Sequence, residues 1–120
     1  MEDNFCAKVT TGLVLEGFGK AKEYIRIYQN EIKDKIGIVP FYGTINLQVQ
    51  KLPFFSPDKA ILVNKQNYGD ILLYPAKINN QYKVWILRPL KTDHPDDIVE
   101  LIAETKLPIN LGDELICELE

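Results

Sequence analysis

The chain has 120 residues, 46% hydrophobic and 26% charged, with a formal net charge of −3. That balance predicts a single folded domain over 1–120 and excludes an intrinsically disordered chain. No run approaches the roughly 18–20 apolar residues that cross a bilayer, so a transmembrane helix is excluded as well.

The opening MEDNFCAKVTTG is acidic and has no apolar core of a signal peptide, so no secretory leader is expected. Cys6 and Cys117 stand far apart, and His94 is the single histidine, so no zinc-ligand spacing exists. A reducing cytoplasm and two inert thiols are the expectation. With 14 Lys and Arg against 17 Asp and Glu, the chain lacks the basic excess of a nucleic-acid binder.

Residues 8–15 (KVTTGLVL) predict a strand broken at Gly12, followed by a loop through Glu16, Gly17, Phe18 and Gly19. In residues 23–28, Tyr24, Arg26 and Tyr28 alternate with Ile25 and Ile27, which predicts a second strand. Asn30 then suits the N-cap of a short helix through Ile36, and Gly37 its left-handed C′ position. Residues 43–49 (GTINLQV) alternate again, with Ile45, Leu47 and Val49 on one face and Thr44, Asn46 and Gln48 on the other. Residues 53–58 read as loop. The stretch 68–88 predicts a hairpin turning at Asn79-Asn80, and Pro75 inside its first arm predicts an edge or a bulge.

From His94 to Ala103 the pattern predicts a helix. Pro95 fits N1, Asp96 and Asp97 fit the first turn, and Ile98, Leu101 and Ile102 form an apolar stripe. Pro108 follows it, and residues 115–119 read as a last strand. About six strands and two short helices without β-α-β alternation predict a mainly β fold, a closed or nearly closed barrel.

Two motifs bear on chemistry. Gly17-Phe18-Gly19-Lys20 is not a Walker loop, which needs Gly where Val14 stands and Ser or Thr where Ala21 stands. Lys22 breaks the dinucleotide fingerprint in turn. A Gly-x-Gly turn beside Lys20 and Lys22 can offer backbone N–H groups to an anion, or be a plain turn with solvated lysines. Thr44 and Asn46, at i and i+2 of a strand, present two neutral oxygens on one side. A divalent cation accepts such ligands once polyphosphate brings negative charge. An ordinary polar strand face explains the same pair. Glu100 sits at the margin of the apolar stripe, where a solvated carboxylate is the simple reading.

Taken in order, GLVLEGFGKAKEYIRI (12–27), GIVPFYGTINLQV (37–49) and LRPLKTDHPDDIVELIAETKLPINLGDELICEL (87–119) resemble the archaeal CTP-dependent riboflavin kinases. The resemblance implies a cradle-loop barrel that moves the γ-phosphate of CTP to the 5′-hydroxyl of riboflavin, giving FMN and CDP. It implies that Gly17, Phe18, Gly19, Lys20, Ala21 and Lys22 line the nucleotide, with Thr105, Lys106, Leu107 and Pro108 completing the cytidine pocket. Thr44 and Asn46 would hold Mg²⁺, Thr92 and Glu100 would meet the flavin, and Glu100 would orient the accepting hydroxyl. Ala21 and Pro108 depart from the family pattern of G-x-G-x-G and Leu-Arg, which bears on nucleotide affinity. The expected partners are these small molecules alone, with no nucleic acid or membrane, for a monomeric protein. The rival class is a non-catalytic barrel that binds nucleotide, flavin or DNA.

Overall fold

Six antiparallel strands close into a barrel in the computed structural model, which describes residues 8–15, 21–41, 44–90 and 97–120. In chain order the elements are β1 (Val9–Leu15), α1 (Ala21–Ile36), β2 (Ile45–Val49), a 3-10 turn (Pro57–Lys59), β3 (Ile61–Val63), β4 (Ile71–Ile78), β5 (Tyr82–Pro89), β6 (Ile98–Ile102) and β7 (Glu114–Leu119). The sheet order is β3-β4-β5-β6-β2-β1-β7. Strand β7 returns to β4, with Ala76 opposite Leu119 and Ile78 opposite Cys117, and β3 stays outside the ring. The mainly β expectation holds, with seven strands and one α-helix among the described residues. No helix among these residues is long and apolar enough to cross a membrane.

Inward-facing Val14, Leu47, Ile86, Val99, Leu101 and Leu115 fill the barrel. Helix α1 lays Ile25, Tyr28 and Ile32 on the outer faces of β3 to β6, against Val63, Leu73, Leu87 and Ile102. The Tyr28 hydroxyl donates to the Gly69 carbonyl, and Lys65 pairs with Glu31 at 3.1 Å, holding that carboxyl below its usual range. Burying each isoleucine is worth about 1.5–3 kcal/mol, so packing rather than propensity holds this helix.

Two elements differ from expectation. Residues 23–28 are helical, and the helix passes through Asn30 without a cap there. Alternation over six residues suggested a strand, but Ile25, Tyr28, Ile32 and Ile36 recur at helical spacing over a longer window. The longer period wins. Gly37 does take φ +81°, and its N–H donates to Lys33 O at 2.8 Å, as a C′ glycine should. The second difference is residues 98–102, a strand rather than a helix. All five are buried, because β6 is covered on both faces, and a short apolar run then carries no period. His94, Pro95 and Asp96, assigned to the start of that helix, lie outside the described residues.

The hairpin forms as expected, with φ 52° at Asn79 and 56° at Asn80. These suit a type I′ turn, and Asn79 further accepts from Ile116 N–H at 2.9 Å, fastening the turn to β7. Pro75 is in neither a free edge nor a bulge. It sits where the partner of β4 changes from β3 to β7, and its carbonyl accepts Glu120 N–H at 3.1 Å. The donor it lacks would point into that gap, where no ladder bond is lost. Burial pushes the Cys117 thiol up to about 12, so it stays protonated and inert. Cys6 lies outside the described residues.

Strand β1 is continuous through Gly12 rather than broken by it. A Cβ at Gly12 would lie 2.9 Å from Val49 Cγ1, 3.0 Å from the Gln48 carbonyl and 3.1 Å from Leu47 Cβ. The glycine lets β1 cross close over β2. Gly12→Ala is therefore expected to lower stability by about 1–3 kcal/mol, because backbone must move to admit one methyl. Chemical denaturation of both proteins reads this directly, and equal midpoints would refute the close-crossing account.

Candidate functional site

The β2–β6 register brings two of the predicted residues together. Asn46 stands directly opposite Glu100, whose other cross-strand neighbour is Leu87 of β5. Leu47 and Val49 point into the barrel, so Asn46 and Gln48 point outward; Glu100, between inward Val99 and Leu101, does the same. Opposed side chains on one face have Cβ atoms roughly 4.5–5.5 Å apart. Though outward, Asn46 is 1% and Glu100 4% exposed. Glu100 is thus a buried strand residue, not the solvated helix carboxylate of the sequence reading.

Two oxygens here are anomalous. Thr44 Oγ1 and Asn46 Oδ1 are buried without a hydrogen-bond partner. A buried acceptor left unmade costs about 1–3 kcal/mol, so folded proteins seldom keep two side by side without use. No group of three His, Cys, Asp or Glu that could hold a metal exists among the described residues. A pair of neutral oxygens fits a hard divalent cation that takes its remaining ligands from phosphate and water.

At the end of the barrel nearest Thr44 lies a cavity of about 180 Å³. Thr44, Thr105, Lys106 and Leu107 line it together with Phe41, Ile45, Leu101, Ala103 and Ile109. A hydrogen bond from Phe41 N–H to Ala103 O, 2.8 Å, ties the approach of β2 to the exit of β6 and shapes its rim. Three of the four residues assigned to the cytidine pocket thus gather beside Thr44. Pro108 is exposed and does not line the cavity. Ala21 and Lys22 open α1, whose N-terminal end carries the positive pole of the helix dipole. Gly17, Phe18, Gly19, Lys20 and Thr92 lie outside the described residues.

Another hollow is one that the sequence did not single out. A groove of about 830 Å³ runs along the outer faces of β1 and β2, past Thr11, Leu13, Gln48, Asp97 and Glu114. Gln48 could have been found, since it continues the outward row of Thr44 and Asn46. Asp97 could not, because its place in a helical first turn hid its position at the head of β6.

Known proteins of one family resemble this chain over most of its length. A family model named for CTP-dependent riboflavin kinase, and described as "Domain of unknown function DUF120", matches residues 14–115. A riboflavin kinase of Methanocella arvoryzae is 32% identical over 114 residues, covering 88% of this chain and 52% of the relative. One from Ignicoccus hospitalis is 32% identical over 108 residues, covering 80% and 60%. One from Pyrobaculum aerophilum is 33% identical over 123 residues, covering 91% and 58%. The chain therefore spans between half and three fifths of the length of these curated relatives.

Proposed function

This chain belongs to the CTP-dependent riboflavin kinase family, and we propose that it transfers the γ-phosphate of CTP to the 5′-hydroxyl of riboflavin, giving FMN and CDP. The observation that carries the reading is the pair of unpartnered oxygens of Thr44 and Asn46, set against Glu100 and beside the cavity of Thr105, Lys106 and Leu107. Phosphoryl transfer passes through a loose transition state, so position and charge neutralisation supply most of the acceleration. No side-chain nucleophile is required.

Thr44 Oγ1 and Asn46 Oδ1 would hold Mg²⁺, which when bound neutralises charge on the transferring phosphate. Thr105, Lys106 and Leu107 hold the cytidine end of the nucleotide, with the Lys106 charge near its phosphates. Gly17, Phe18, Gly19 and Lys20 lead to the amides of Ala21 and Lys22 at the start of α1, which suit an anion. Glu100, with Thr92, receives the flavin side; its carboxylate accepts a hydrogen bond from the 5′-hydroxyl and takes its proton late in transfer. Burial of Glu100 between Asn46 and Leu87 keeps it from swinging away from that hydroxyl.

The deciding experiment incubates the protein with riboflavin, Mg²⁺ and each nucleoside triphosphate in turn. FMN should appear with CTP and depend on Mg²⁺. Flavin binding without FMN from any triphosphate would make the barrel a binding module instead.

A further inference from the structure

We propose that a cavity at the opposite end of the barrel from Thr44 binds a small aromatic carboxylate. Tyr74, Ser56, Lys8 and Lys59 hold the carboxylate, and Phe54 and Leu119 hold the ring. The antiparallel ladders put Thr44 beside the start of β2, the end of β1 and the start of β7. Leu119 stands at the other end of β7, where its N–H donates to Lys8 O at 2.8 Å. There β4 changes partner from β3 to β7, and Tyr74 falls between the two ladders. A cavity of about 170 Å³ opens at this gap.

Its polar groups are unused. Tyr74 faces inward with Ala76 and Ile78, and its ring lies 4.9 Å from that of Phe55. The residue is only 7% exposed, yet its hydroxyl makes no hydrogen bond with the described residues. It is not one of the oxygens sealed from solvent, so its opening is into this cavity. Ser56 stands at the N-cap of the 3-10 turn, but its hydroxyl makes no capping bond. Its carbonyl accepts Lys59 N–H at 3.0 Å, which sets both residues on one turn. Neither Lys8 nor Lys59 forms an ion pair with the described residues. The Glu120 carboxylate, also at the rim, is engaged by Lys83.

Two spare hydroxyl donors and two spare ammonium groups call for an oxyanion, which takes charge-assisted bonds from each. The rest of the lining is apolar: Phe54, 47% exposed, Leu119 and the ring of Tyr74. A flat ring covers such surface well. Size limits it. A dry cavity of roughly 150 Å³ admits benzene. The space here therefore takes one six-membered ring with its carboxylate at the rim, and excludes a tricyclic flavin or a nucleoside.

Sodium benzoate is the probe, titrated calorimetrically at constant ionic strength. One equivalent should bind saturably, with a Kd of about 1 mM or below. Benzyl alcohol, which keeps the ring and loses the charge, should bind at least about tenfold more weakly. Tyr74→Phe removes one hydroxyl and Lys59→Gln one charge from an exposed turn; each should raise the Kd at least about fivefold. Saturating CTP with Mg²⁺, or saturating riboflavin, should leave the benzoate Kd within about twofold, because those ligands belong to the other end of the barrel. Absence of saturation by about 20 mM, equal binding of benzyl alcohol, or an unchanged Kd in both variants would overturn the proposal. So would displacement of benzoate by CTP or riboflavin, which would place it in the site of Thr44 or beside it. The titration needs no turnover, so its outcome is independent of the riboflavin kinase reading.

Discussion

Asn46→Ala is expected to cut the rate of FMN formation by roughly two to three orders of magnitude while the barrel stays folded. The substitution removes Oδ1, one of two buried oxygens that no donor of the described chain satisfies. Because that oxygen has no bond to lose, its removal relieves a desolvation cost and partly offsets the cavity left behind. Stability and activity should therefore part company. Thermal unfolding should move by only a few degrees, whereas turnover collapses and the Mg²⁺ concentration for half-maximal rate rises. Thr44→Val, nearly isosteric and without the hydroxyl, should act in the same direction. A fully active Asn46→Ala protein with unchanged Mg²⁺ dependence would remove both residues from any metal site.

The parts of this fold that the sequence announced are those whose signals are local. Asn79-Asn80 tolerates positive φ by its own chemistry, and Gly37 ends α1 for the same reason. Strand β2 alternates because one face meets the barrel core and the other does not. Where burial is two-sided, the signal vanishes: β6 is buried on both faces, and Pro95 with its acidic neighbours made it look like the start of a helix. Residues 23–28 misled in the opposite way, since six residues are too few to separate a period of 2 from one of 3.6.

Some members of the candidate site could be named from the sequence, but how they meet could not. Thr44 and Asn46 could be paired from the i, i+2 rule alone. Glu100 entered through resemblance, and its partner Asn46 is visible only in the register between β2 and β6, which no local pattern encodes. Likewise, nothing in residues 105–107 themselves says that they gather beside Thr44; Phe41 bonded to Ala103 and Leu107 packed on the core arrange that. Long-range pairing is the layer of information that a single sequence hides best.

Glu100→Gln should leave riboflavin bound almost as before and slow its phosphorylation by about a hundredfold. The change is isosteric, so the packing beside Asn46 and Leu87 survives and the barrel should keep its unfolding midpoint within a few degrees. An amide oxygen still accepts a hydrogen bond from the 5′-hydroxyl, which preserves ground-state binding. What it loses is the charge. As the hydroxyl oxygen attacks, its proton becomes acidic, and a carboxylate stabilises that proton far better than an amide does. An interaction that grows toward the transition state appears in kcat and hardly at all in flavin affinity. Single-turnover mixing with saturating CTP isolates the transfer step from product release and reads the loss directly. A transfer rate equal to wild type would leave catalysis to position and charge neutralisation alone, with Glu100 reduced to packing. The burial of its carboxylate favours the slower outcome. A 4% exposed carboxylate is held in one place on the strand face, as a group that must meet the hydroxyl in the transition state has to be.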